Sequence, residues 1–298
     1  MEEYTFSSGL MNFSRTQGKP GFTWKFILAY VVVSLIMFVI MGVLSALVAP
    51  AFVNELATTG SAFTNNGAMV LLMFGFMLVG ALIMSVFEAA ALRRYIHGTG
   101  FSLKFGGEEL RLLGVYLVWF VILLLSYFVL VLVFGLISTL FLMGGVAAGG
   151  ATSVITVFIG FLIMMAIPLI LLGIVAKVSS ASAMTIRDGK FTFFPAARVT
   201  MGRFWKVYFS YIIVYVAIFI VMLIAQLILT VIILSIGQSA APSAAASAVT
   251  VFAVLAVVGI LPVITAFGQL VTLGMTSKLV LTDPEWKGRA DRLAETFN

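Results

Sequence analysis

Apolar residues run along this chain in six long, uninterrupted segments, at about 26–49, 68–92, 112–143, 153–176, 207–236 and 249–276. Each is at least as long as the roughly 20 residues needed to cross the hydrocarbon core of a bilayer. They lack the two-residue alternation of a membrane β-barrel, and a helix satisfies every backbone polar group within its own segment. The pattern predicts an all-α polytopic membrane bundle of six transmembrane helices, a single transmembrane domain over residues 1–298. The third and fifth segments would measure about 45 Å as straight helices against a core of about 30 Å, so they tilt, bend or protrude.

Composition agrees. Apolar residues make up 62% of the chain and charged residues 9%, where a soluble domain carries about 25% charged. The net charge of +6 does not indicate nucleic acid, because the basic residues are not gathered on a soluble domain or beside stacking aromatics. They are sorted instead. All 17 Lys and Arg fall in the N-terminal segment, the second and fourth connections with their flanks, and the tail. The connections at 50–67, 144–152 and 237–248 hold none, and Glu55 is their only charged residue. Positive loops stay cytoplasmic, so both termini are expected on the cytoplasmic side of the membrane. A cleaved signal peptide is not expected: the first apolar run exceeds a signal core of about 7 to 15 residues, and Glu2 and Glu3 open the chain.

The odd-numbered spans begin alike, at a spacing near 90 residues. Trp24-Lys25 followed by Tyr30 matches Trp205-Lys206 followed by Tyr211, and Arg203 through Tyr208 matches Arg111 through Tyr116, with Trp119 in place of the later tyrosine. The reading is three repeated hairpins with short interfacial lead-in helices. Composition alone is the competing reading, since Trp, Tyr and Lys gather at every membrane interface. Trp24, Lys25, Arg93, Arg94, Arg111, Arg203, Trp205 and Lys206 are expected as interface anchors. In the fifth lead-in, Pro195 suits the first turn of a short helix lying along the membrane. A cytoplasmic amphipathic tail is expected over 283–298, with Asp283 as N-cap and Trp286, Ala290, Leu293 and Phe297 on one face.

Ionisable groups inside a membrane are costly and mark functional sites. The middles of the spans have none. Glu88, Lys177 and Lys278 come nearest, each within about two turns of a helix end on the basic side. Two readings stand: a charge cluster at the inner mouth of the bundle, or three side chains reaching the interface separately. Pro168 and Pro262 read as structural kinks. Gln226 and Gln269 read as interhelical hydrogen-bonding groups, and His97 as a solvated loop residue. No nucleophile–base pair, metal constellation or phosphate-binding glycine motif is present, so no enzymatic activity and no cofactor are expected. The chain has no cysteine.

The stretch from Glu88-Ala89-Ala90-Ala91-Leu92-Arg93-Arg94 through Phe105-Gly106-Gly107-Glu108-Glu109-Leu110-Arg111 looks like a recurrent element of alphaproteobacterial six-span proteins. The three-hairpin layout resembles uncharacterised bacterial inner-membrane proteins and, loosely, the membrane domain attached to some glycerophosphodiester phosphodiesterases. The soluble catalytic domain of those enzymes has no counterpart in these residues, so the resemblance implies a fold and no activity. The leading expectation is a membrane component that contacts lipids, anionic ones included, or a membrane protein partner or second copy of itself. The alternative is a transporter or channel for an apolar or lipid-like substrate. A polar cavity reaching mid-membrane would favour transport, and apolar external grooves would favour lipid contact.

Overall fold

A computed structural model describes residues 4–14, 21–59, 67–147, 151–237 and 244–283. The amphipathic face expected beyond Asp283 and the loop positions 60–66, 148–150 and 238–243 lie outside the described residues. In chain order the elements are α1 (Phe6–Leu10), a 3-10 turn (Met11–Phe13), α2 (Phe22–Thr59), α3 (Gly67–His97) and α4 (Gly107–Ala147). There follow α5 (Ala151–Val178), α6 (Ala181–Asp188), α7 (Ala196–Val199), α8 (Phe204–Gly237) and α9 (Ala244–Leu281). Six helices are long and apolar enough to cross a membrane, the fourth of these stretches running on from α5 into α6. The chain is a multi-pass integral membrane protein.

Among the described residues, close packing is concentrated in the half of the bundle that carries the basic residues. Phe26, Leu92, Leu112, Ile186, Leu270 and Met275 are buried there. Further along, α2 over 31–44, α4 over 116–136 and α8 over 215–228 contain no buried residue among those described. The physical reason is the solvent. An apolar side chain gains little by leaving lipid for another apolar side chain, so spans associate through close backbone approach and polar bonds. The basic half supplies both: Ala89, Ala90, Ala91, Ala176, Ala181, Ala183 and Ala266 are all buried, together with Ser85, Ser210 and Ser277.

Two aromatic and basic layers extend this packing. Phe87 of α3 meets Phe26 and Tyr30 of α2 edge-on, at centroid distances of 5.5 and 5.3 Å. Arg94 lies over the ring of Phe22 at 5.5 Å. Thr5 caps α1 through a reciprocal bond with Ser8, and the N-terminal segment folds back onto α8 and α9. Asn12 Nδ2 donates to the Gly274 carbonyl at 2.7 Å. Tyr4 is 1% exposed, with its hydroxyl beside Ser210. Burial pushes the Tyr4 hydroxyl above the ordinary tyrosine range, partly opposed by Ser210 and Arg203. A raised tyrosine pKa leaves docking undisturbed below about pH 10 and weakens it as pH climbs further.

The segment between α5 and α8 turns inward. Helix α6 is buried from Ala181 to Ile186 and wedges among α3, α4 and α9. Gly189, at φ 64°, ends it in the left-handed conformation that glycine adopts without strain. Its polar groups are satisfied locally: Thr185 and Thr192 exchange bonds of 3.3 and 3.2 Å, and Arg187 donates to the Val280 carbonyl at 3.0 Å and to Asp283 at 3.3 Å. The lead-in helix at Pro195 is correspondingly half-sunk. Phe193 and Ala196 are buried, while Phe194 and Trp205 face outward.

Candidate functional site

Five of the six spans, together with α6, meet around a cavity of about 220 Å³ in the packed half. Helix periodicity builds its walls, since residues three or four apart share a face. Tyr116 and Trp119 come from α4, Tyr211 and Tyr215 from α8, and Gln269, Thr272 and Thr276 from α9. Glu88 enters from α3 and Ser179 from the end of α5. Ser182 of α6 closes the basic end, so this buried helix serves as the floor. Counted at 1.5 Å per residue, Tyr215 and Gln269 lie about 16 to 18 Å from the basic ends of their helices, roughly half the depth of a hydrocarbon core. Tyr215 is also exposed, which makes it the rim where the cavity meets the membrane-facing surface.

Glu88 is the only carboxylate lining this cavity, and no Lys, Arg or His lines it. The Tyr116 hydroxyl donates to Glu88 Oε2. Trp119 is braced by Phe193 edge-on at 5.6 Å. Gln269 Nε2 donates to the thioether of Met84 on α3 at 3.5 Å. The result is a carboxylate with a neutral hydrogen-bond partner, set among four aromatic rings and several hydroxyls.

Two apolar grooves adjoin the packed half. One, of about 370 Å³, runs between α4 and α5 and is lined by Ile122, Ser126 and Leu171, among others. Ile122 and Ser126 lie one and two turns beyond Trp119, and Leu171 one turn beyond Val175, so this groove continues the cavity wall away from the basic end. The other, of about 410 Å³, lies where α2, α8 and α9 meet and is lined by apolar residues throughout, Phe267 and Ile218 among them.

Of the three charges expected at the inner mouth, only Glu88 lines the cavity. Lys177 is exposed and borders a separate depression with Thr200 and Phe204; its carbonyl accepts from Thr200 Oγ1 at 2.8 Å. Lys278 is half-buried near the end of α9. The described ion pairs of Arg93 and Arg187 involve neither Glu88 nor Lys177. The bend after Val178 that lets α6 fold inward separates Lys177 from the cavity.

The anchors divide in two. Trp24, Lys25, Arg111, Trp205 and Lys206 are exposed, as anchors should be. Arg93, Arg94 and Arg203 instead turn inward. Arg93 pairs with Glu108 at 3.0 Å and with Glu109, Arg94 is buried, and Arg203 donates to the Thr282 carbonyl and hydroxyl, both at 3.0 Å. Gln269 bonds between helices as expected, whereas Gln226 is exposed. His97 is the exposed last residue of α3, and Pro168 and Pro262 lie inside α5 and α9.

Tyr116, Trp119 and Tyr211 are legible in the sequence only as matched positions of the repeat, and Tyr215 and Ser182 carry no signal there at all. Amphipathic spacing of polar aromatics within otherwise apolar spans was the available clue. Among the described residues no three of His, Cys, Asp and Glu gather as a metal site. Comparison of the chain with protein-family models, with curated proteins and with solved structures finds no match.

Proposed function

We propose that this chain is a lipid-handling component of a bacterial inner membrane, with both termini cytoplasmic and no bond chemistry of its own. One observation carries the reading: among the described residues full burial is concentrated in the basic half, and further along α2, α4 and α8 most side chains are apolar and exposed, with only half-buried stripes such as Ile122, Ser126, Leu130 and Val133 of α4. Acyl chains are the natural filling of such a surface and of the two grooves, because one is apolar throughout and the only hydroxyl of the other, Ser126, is already bonded to the Ile122 carbonyl. The exposed basic residues at the packed end, Lys25, Lys104, Arg111 and Lys206, add attraction for anionic headgroups at about 1 kcal/mol each near the surface. The same Lys and Arg set the proposed orientation. Sequence spacing remains the support for three repeated hairpins; α4 with α5 and α8 with α9 pack as neighbours, while α2 leans more on α9 than on α3.

The test is purification from the native membrane in a lipid-retaining polymer, followed by detergent exchange and lipid mass spectrometry. Several lipids per chain are expected to survive the exchange, and alkaline phosphatase fused after Asn298 to remain inactive. A chain recovered free of lipid, or an active fusion, contradicts the proposal.

A second reading is favoured by the polar cavity, which reaches mid-membrane and opens at Tyr215. It is the passage of an amphipathic molecule between the cavity and the bilayer. Uptake of labelled lipid across proteoliposomes, equal with and without the protein, would remove it.

A further inference from the structure

We infer that the cavity is a binding site for an organic ammonium group, the headgroup of a lipid or a free amine. The inference rests on the lipid-handling reading and adds the chemical class of the ligand. Its starting point is a single carboxyl group, Glu88, that no cationic side chain of the cavity faces. A carboxylate at this depth is costly unless a cation answers it, yet the Tyr116 hydroxyl that bonds Glu88 is neutral and no cationic side chain lines the cavity. A ligand that brings one positive charge completes the site, and one that brings a negative charge meets Glu88 unpaired.

The walls decide between kinds of cation. Calcium calls for six to eight oxygen ligands and zinc for four His, Cys or carboxylate donors, and here one carboxylate stands among aromatic rings. Tyr116, Trp119, Tyr211 and Tyr215 offer the electron-rich faces that attract an ammonium within about 6 Å of a ring centre. The hydroxyls of Tyr116, Tyr211 and Tyr215, with Ser182, accept the N–H donors of a primary amine. The cavity's size agrees: about 220 Å³ holds a headgroup and excludes an acyl chain. The chain has its own place, because the apolar α4–α5 groove begins one turn beyond Trp119 and Val175.

The experiment uses the full chain in nanodiscs of phosphatidylglycerol, which carries no amine. In one arm, ethanolamine and tetramethylammonium are titrated against the fluorescence of a protein that keeps Trp119, with Trp24→Phe, Trp205→Phe and Trp286→Phe. In the other, the unsubstituted chain equilibrates with vesicles of equal phosphatidylethanolamine and phosphatidylglycerol, and the retained lipid is measured. Saturable amine binding that weakens at least about tenfold in Glu88→Gln, which removes the charge and keeps an acceptor for Tyr116, supports the site. Trp119→Leu, read by phosphatidylethanolamine retention, is expected to weaken binding several-fold through the lost ring face. Enrichment of phosphatidylethanolamine that vanishes in Glu88→Gln while total bound lipid is unchanged identifies a lipid headgroup. Amine binding without that enrichment identifies a free amine. If neither amine binds and the retained lipid shows no Glu88-dependent preference, the inference is overturned, and the lipid-handling reading survives only if total retention persists. Equal binding to Glu88→Gln and Trp119→Leu also overturns it.

Discussion

Replacing Arg93 by alanine is expected to destabilise the bundle by about 3 to 5 kcal/mol, the largest single effect at the basic end. Arg93 reaches from α3 across the connection to the start of α4, where Glu108 and Glu109 both accept from Nη1 and the Ser102 carbonyl accepts from Nη2 at 3.2 Å. Glu109 is the partner that matters, because it is 2% exposed against 37% for Glu108. Its second oxygen already accepts from the Gly106 amide at 2.9 Å, so without Arg93 the carboxylate stays buried with one neutral donor. Removing half of a buried pair leaves that full desolvation cost, whereas removing both halves in favour of apolar side chains is often close to neutral. Arg93→Leu with Glu109→Leu is therefore expected to recover most of the loss, and Glu108→Ala to cost no more than about 1 kcal/mol. Thermal unfolding in one detergent across the four proteins checks the order. Equal losses for Glu108→Ala and Arg93→Ala would show that burial does not set the energy.

The second large effect is expected from Gly274→Val. A β-carbon at Gly274 would stand 2.8 Å from the backbone nitrogen of Phe13 and 3.0 Å from its α-carbon. Backbone cannot rotate away as a side chain can, so the N-terminal turn must leave α9, taking with it the Asn12 bond and the burial of Tyr4. At about 1 to 3 kcal/mol for such overpacking, amide hydrogen exchange over residues 5–13 should quicken by about five- to 150-fold. Gly268→Ala is the control. Its β-carbon would meet Ile218 Cδ1 at 2.6 Å, but that is the end of a flexible side chain, and exchange over 5–13 should stay unchanged. Undisturbed exchange in Gly274→Val would mean that the N-terminal segment is not docked there.

These two positions also show where the sequence could be read and where it could not. The six spans were legible because length and unbroken apolarity suffice for them. The N-terminal turn was not, because Tyr4-Thr5-Phe6-Ser7-Ser8-Gly9 has the composition of an ordinary lead-in and docks through a glycine 262 positions from Asn12. Helix α6 escaped for a related reason. Its Ala181-Ser182-Ala183-Met184-Thr185 follows Lys177, where the apolar run of the fourth span stops in the sequence, yet is small enough to pack between three helices once there. Arg93, Arg94 and Arg203 carry the same interfacial signature as Lys25 and Lys206, and nothing local distinguishes a cation that finds a buried partner from one that faces water. For the cavity, Glu88 stood out as a charge in an apolar span. Its partner could not be chosen, because a tyrosine on the next span reads equally well as part of the aromatic belt.

The account's central claim is a bundle closed at its basic end and open to lipid beyond it. The absence of cysteine makes a clean test possible: single cysteines at Leu112, at Val115 and at successive positions from 121 to 136 of α4, each carrying a spin label, exposed in nanodiscs to lipid-soluble oxygen and to a water-soluble relaxing agent. Full oxygen access at the exposed positions, partial access along the half-buried stripe of Ile122, Ser126, Leu130 and Val133, and little access for the water-soluble agent are what an open outer half predicts. Oxygen exclusion along that stripe as complete as at Leu112 and Val115 would show a bundle closed along its length and contradict the claim.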